Sequence, residues 1–176
     1  MVKFFKILMV CLVIPPTFSC DTGLGLITTK ITGDVIFYNQ DKKPDYVESV
    51  WVVAAEKSLF ENPSLSDIIV SDRPVNLSKD TSMYEIFVPT GTYIVVAAIW
   101  KEKGKDWNYQ KMLGIYGFDP INFAYYDENP IQITEKNKVA SGYDIICDWG
   151  FIFSNQEQTR FWKFNPFKID RSDEFP

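Results

Sequence analysis

Histidine is absent from all 176 residues of this chain. With it go Ser-His and Cys-His dyads, HExxH sites and any zinc centre that needs an imidazole ligand. Cysteine is scarce: Cys11, Cys20 and Cys147 are the only three. The first lies in a leader-like segment and the second directly after it, so Cys147 is expected to stand alone, and packing rather than disulfides has to stabilise the fold. A spanning helix needs roughly 20 consecutive apolar residues, and the chain offers no such run. It also lacks a basic face, with 18 Lys and Arg against 23 Asp and Glu. Lys101, Lys103, Lys105 and Lys111 are interleaved with Glu102 and Asp106, so phosphate neutralisation has no cluster to work with and nucleic acid is not an expected partner. Internal repeats and low-complexity tracts are missing as well.

What is present begins with residues 1–19, which predict an export signal. Lys3 and Lys6 flank its start, residues 7–14 form a short apolar core, and Pro15 and Pro16 end any helix. Without this segment 16 basic residues face 23 acidic ones, a side-chain charge of −7. Thr17, Phe18, Ser19 and Cys20 resemble the lipobox of bacterial lipoproteins, although that pattern usually carries Leu where Thr17 stands and a small residue where Phe18 stands. The resemblance implies that Cys20 becomes the mature N-terminus, thioether-linked to diacylglycerol. Triacylated, it would anchor the protein to a membrane of the bacterial cell envelope, each buried methylene contributing roughly 0.8 kcal/mol. Asp21 resembles the residue that retains lipoproteins in the inner membrane of enteric bacteria. Ordinary signal cleavage is the other reading, because Thr17 and Ser19 are small residues at the two positions such a peptidase reads. Residues 20–30 then read as a tether to the fold.

Residues 31–149 suffice for one domain with a substantial apolar core. Residues 31–38 and 47–57 alternate as strands, Pro63, Ser64 and Asp67 predict one helical turn in the connection 58–72 that follows, and residues 68–70 and 74–77 are brief strand-like pieces. In residues 84–100, Tyr84, Ile86 and Val88 share one face, Pro89 and Gly91 suit a tight turn, and the return run is apolar on both faces. This predicts a hairpin whose second strand is central, with Tyr93, Val95, Ala97 and Ile99 on one side. Further strands are expected at 112–116, 131–133 and 139–148, the last with Tyr143, Ile145 and Cys147 inward and Asp144 and Asp148 outward. The fold class is therefore all-β: an antiparallel β-sandwich of seven to eight strands. Residues 150–176 form an aromatic extension, which the two-faced central strand predicts to fold back over the outer face of its sheet. Docking of a partner protein is the other reading of that segment.

Tyr84, Ile86, Val88, Pro89, Gly91 and Tyr93 resemble the Y-x-hydrophobic-x-hydrophobic-P-x-G-x-Y hairpin of transthyretin-like sandwich domains, which include carboxypeptidase regulatory-like and Cna-B-like modules. The resemblance covers roughly residues 31–148 and implies a prealbumin-like fold of about seven strands. It says little about function, since such modules serve as spacers, stalks and carbohydrate-associated or accessory domains. Hydroxyisourate hydrolases share the fold but rely on histidines, which this chain lacks.

For chemistry, paired carboxylates, a Ser-Lys dyad and Cys147 are the routes left, and none carries a motif. Asp144 and Asp148 fall on one strand about 13 Å apart by strand rise, too far for a glycosidase pair. Cys147 reads as a buried, inert thiol. No cofactor or metal is expected. The polar-aromatic loops after the central strand supply the candidate ligand-binding residues Trp107, Asn108, Tyr109, Tyr125 and Tyr126, ring faces and hydrogen-bonding groups of the kind that stack on and read sugars. Plugging one end of the sandwich is their alternative role. The expected function is a lipid-anchored, non-catalytic envelope module whose partner is an envelope protein, with a glycan-binding lipoprotein and a carboxylate-dependent hydrolase as alternatives.

Overall fold

The computed structural model describes residues 28–57, 65–108 and 111–151. The export signal, Cys20, most of the tether, Tyr109 and residues 152–176 lie outside the described residues. In chain order the strands are β1 (Lys30–Tyr38), β2 (Val47–Ala55), β3 (Ile68–Val70), β4 (Thr81–Phe87), β5 (Gly91–Tyr93), β6 (Val95–Glu102), β7 (Met112–Ile115), β8 (Phe118–Asp119), β9 (Ala124–Tyr125), β10 (Ile131–Ile133), β11 (Val139–Ser141) and β12 (Ile145–Asp148). The described residues contain no α-helix, and the turn expected near Asp67 is a single 3-10 turn, Leu65–Asp67.

The chain is all-β, built on two principal sheets. In the first, β1 runs between β4, antiparallel to it, and β11 and β12, which lie parallel to its two halves. In the second the order is β3-β2-β6-β7, all antiparallel. β10 pairs with β5, and β8 with β9. The first sheet is thus mixed, not antiparallel, and the strands outnumber the seven or eight expected.

The hairpin expected across Pro89 and Gly91 does not form. β4 pairs with β1 while β6 pairs with β2, so the bend carries the chain from one sheet to the other. The cause is the apolar run on its C-terminal side. Residues 95–99 are apolar on both faces, and β1 is already flanked on both edges, so only the interior of the second sheet can take them. The chain bends at Ile94, whose N–H donates to the Ala55 carbonyl at 3.1 Å. That bend resets the alternation. Tyr93 faces the same core as Val96 and Ala98, while Val95, Ala97 and Ile99 take the opposite face.

The last expected strand is likewise broken. At residues 142–144, where Gly142 adopts φ 84°, the chain steps along one edge of β1 from β11 to β12, crossing close over Gly33. Gly33 makes the crossing possible: a Cβ there would lie 2.4 Å from the Tyr143 carbonyl oxygen. A glycine inside a strand pattern marks such close backbone approach. Residues 74–77 form no strand, yet Val75 N–H bonds the Val50 carbonyl at 2.8 Å, continuing along the edge of β2 beyond β3.

Alternate side chains of both sheets fill one shared core, including Ile31, Val35 and Phe37 of β1, Val50, Val52 and Ala54 of β2, Ile86 of β4, and Ile145 and Cys147 of β12. A second cluster covers the outer face of the second sheet, where Val53, Val95, Ala97, Ile99, Met112 and Ile115 pack under Phe118. β6 is therefore buried on both faces, as its sequence predicts. The fold starts before residue 31: Thr29 is buried, and its hydroxyl and carbonyl bond the carbonyl and N–H of Val88.

Candidate functional site

The loop after β6 keeps Trp107 44% exposed, with its ring meeting Trp51 of β2 edge-on at 5.6 Å. Asn108 is half-buried and its carbonyl accepts the Lys111 N–H at 3.0 Å. Tyr109 lies outside the described residues. The expected second loop instead contains the β8–β9 ribbon, with Phe118 opposite Tyr125 and Asp119 opposite Ala124. Tyr125 and Tyr126 are neighbours in an extended chain and so point to opposite sides. Tyr125 packs on the outer cluster of the second sheet, its ring 5.2 Å from Phe118. Tyr126, 49% exposed, turns to Tyr116 at 5.9 Å and donates its hydroxyl to the Asp144 carbonyl at 2.6 Å. The structure thus gives these rings separate packing partners.

A cluster that sequence spacing does not assemble lies beside Tyr126, where Tyr84, Tyr116 and Tyr143 meet Asp127 and Asp144. Tyr84, at the start of the transthyretin-like pattern, sends its hydroxyl to the Tyr143 carbonyl at 2.6 Å. Tyr116 stacks edge-on against Tyr143 at 4.9 Å and donates to the Asp127 carboxylate. Asp144 accepts the Asp34 N–H at 2.9 Å. Gly117, at φ 88°, lets this corner close, since a Cβ there would meet the Asp127 carbonyl oxygen at 1.9 Å. The one signal in the sequence is Gly33 in mid-strand, which marks where the 142–144 crossing drops onto β1.

Burial pushes the Tyr84 phenol far above its ordinary value, and the neighbouring Asp144 charge adds to the effect. Burial raises Tyr116 too, followed by its hydrogen bond to Asp127, and burial raises Tyr126. All three phenols stay neutral near pH 7 and act as donors. The Tyr116 hydroxyl and the Asn129 N–H hold the Asp127 carboxyl below the usual carboxylate range. Donors and acceptors are matched inside the fold, so the cluster works as a clamp between the 142–144 crossing, β4 and the segment after β7.

Asp148 is buried, not outward as expected. It follows Cys147 to the end of β12, where it accepts Asn39 Nδ2 at 2.6 Å and the Gly150 N–H at 2.8 Å, closing the turn there. Cys147 is fully buried, and burial holds its thiol well above the usual range, which suits packing and not nucleophilic attack. Among the described residues no group of three or more Asp, Glu or Cys side chains is placed to hold a metal ion. Tyr93 gives the Pro-x-Gly bend a physical role: its hydroxyl donates to the Pro89 carbonyl at 2.9 Å, tying the bend to the strand that leaves it. Comparisons with protein-family models, with curated proteins and with solved structures find no match to this chain.

Proposed function

We propose that this chain is a lipid-anchored protein of the bacterial cell envelope whose domain, a β-sandwich of the transthyretin-like type, serves as a non-catalytic interaction or structural module. One observation carries the non-catalytic part. Of the groups that sequence alone leaves open for chemistry, the Asp144 and Asp148 carboxylates accept hydrogen bonds inside the fold and the Cys147 thiol is fully buried. The hydrolase alternative therefore has the least support.

The hairpin on which the transthyretin-like resemblance is read does not form, so the assignment leans on other features. It is supported by two sheets with a common core and by the role that Tyr93 and Pro89 take within the sequence pattern. Anchoring is supported by residues 1–20, and by the start of the fold at Thr29. Nine residue steps separate Cys20 from Thr29 and reach at most about 30 Å, which holds the domain close to the bilayer. Glycan binding is the second reading, favoured by the exposure of Trp107 and Tyr126 at 44% and 49%.

Membrane fractionation tests the proposal. The wild-type chain is expected with membranes and the Cys20→Ala chain in the soluble fraction or retained as unprocessed precursor. Equal membrane association of correctly processed wild type and variant would overturn the anchor. Quenching of Trp107 fluorescence by oligosaccharides, lost in Trp107→Phe, would favour the glycan reading.

A further inference from the structure

We propose that a second copy of this chain pairs with the free edge of β4, strand against antiparallel strand, to give a two-fold symmetric dimer. This pairing uses described residues and does not depend on the lipid anchor.

The direction of each backbone group on β4 follows from its ladder with β1. Phe37 N–H donates to the Asp80 carbonyl at 2.7 Å and Val88 N–H to the Thr29 carbonyl at 3.0 Å, which fixes the positions that bond β1. Bonded and non-bonded positions alternate along an antiparallel pair. Ser82, Tyr84 and Ile86 therefore turn their N–H and carbonyl groups to Val35, Gly33 and Ile31, while Thr81, Met83, Glu85 and Phe87 turn theirs away. On that side β4 has no neighbouring strand, and among the described residues these groups take no backbone partner. The preceding connection reaches the side chain of Ser82, whose Oγ accepts the Asn76 N–H at 3.3 Å, and Thr81, Met83 and Glu85 stay exposed.

An edge of this kind is a template for another strand unless charge, proline, a bulge or brevity blunts it. β3 and β7 are short, at three and four residues, and the β6–β7 ladder shifts register between Ala98 and Ile99. β4 is seven residues long, runs against β1 without a shift, and holds no proline, glycine or lysine. Met83 stands on it 81% exposed. Its one charge, Glu85, is already matched by Lys30 at 2.9 Å.

The edge is complementary to itself, which selects a second copy over a foreign strand. A two-fold axis at Tyr84 sets Met83 opposite Glu85 of the other copy and Thr81 opposite Phe87, so every outward position bonds, with about eight backbone bonds in all. An axis at Glu85 would set two like charges directly opposite each other. An axis at Met83 would carry Phe87 past the end of the facing strand.

The test is the mass of the full chain in detergent by light scattering across a dilution series, with amide exchange read residue by residue. The protein mass is expected to rise from one chain to two with concentration, and exchange at the Met83 and Glu85 amides to slow about tenfold or more as it does. Met83→Pro removes an outward N–H that bonds nothing inside the fold, so the variant should keep its unfolding midpoint and remain a single chain. Met83→Glu sets like charges opposite each other twice and should weaken the dimer about tenfold, whereas Met83→Lys, facing Glu85, should not weaken it. A single chain at every concentration would overturn the proposal, as would a dimer that Met83→Pro leaves intact. So would slow exchange at these two amides in the single chain, which would assign the edge to a segment of the chain itself.

Discussion

Replacing Gly33 with alanine reverses the sign that local propensity predicts. In an unobstructed strand, Gly→Ala stabilises by about 0.4–1 kcal/mol, because the unfolded chain loses freedom. Gly33 is not among the glycines with positive φ, so the backbone itself would accept alanine. The obstruction is the 142–144 crossing: the new methyl would lie 2.4 Å from the Tyr143 carbonyl oxygen, 2.6 Å from its carbon and 3.1 Å from Asp144 N. These are all backbone atoms, and comfortable carbon contacts need about 3.5 Å, so the crossing must lift by about 1 Å. Lifting it strains the Tyr143 N–H bond to the Thr32 carbonyl at 3.2 Å, the Tyr84 hydroxyl bond at 2.6 Å and the Asp34–Asp144 bond at 2.9 Å. Overpacking of about 1–3 kcal/mol and a weakened hydrogen bond of about 1 kcal/mol give a loss of about 2–4 kcal/mol. Urea unfolding of the folded domain measures it, and the midpoint of thermal unfolding should fall by about 10 °C. Gly91→Ala is the control. There the nearest obstacle is the flexible end of Glu56, and the change should stay within about 0.5 kcal/mol. Equal or greater stability of Gly33→Ala would refute the crossing.

Tyr93→Phe removes the hydroxyl that ties the Pro89 bend and should cost about 0.5–1.5 kcal/mol in the same unfolding assay. Acid should destabilise the domain only at low pH. Asp127 is held low by the Tyr116 hydroxyl, Glu48 by Lys101 and Glu102 by Lys111, so their contribution is complete above the ordinary values of 3.8 and 4.5 and drains away as pH falls below them. Denaturant midpoints should therefore hold level from neutrality to roughly pH 5 and drop beyond it; a steady decline from neutrality would contradict this. Cys147 should resist thiol reagents in the native protein and react on unfolding, as mass spectrometry of labelled samples will report.

Where a sequence pattern is set by burial alone, it is legible. The two-faced apolar run of β6, the alternation of β1 and the inward placement of Cys147 all come from side chains that must leave water. Pairing is not written in that pattern, because hydrophobic alternation is the same whichever strand lies alongside. Pro89 and Gly91 look like a hairpin turn, yet the bend joins two sheets, since only the second sheet offers β6 an interior position. Gly142 likewise hides the break between β11 and β12, which depends on what Gly33 permits at long range. Strict alternation turns Asp148 outward, but the turn at Gly150 captures it. That Tyr125 and Tyr126 take different packing partners is hidden because they sit at a short ribbon, β8–β9, whose two-residue strands carry no period to read. The tyrosine clamp stays invisible in the sequence because its members come from four distant stretches of chain.

Lipid attachment at Cys20 is the claim on which the functional reading turns, and intact mass of the mature protein extracted from membranes tests it most directly. The expected spectrum shows a chain beginning at Cys20 with the added mass of a diacylglyceryl group and acyl chain, and no such species from Cys20→Ala. An unmodified chain beginning at Cys20 in the wild type would contradict it.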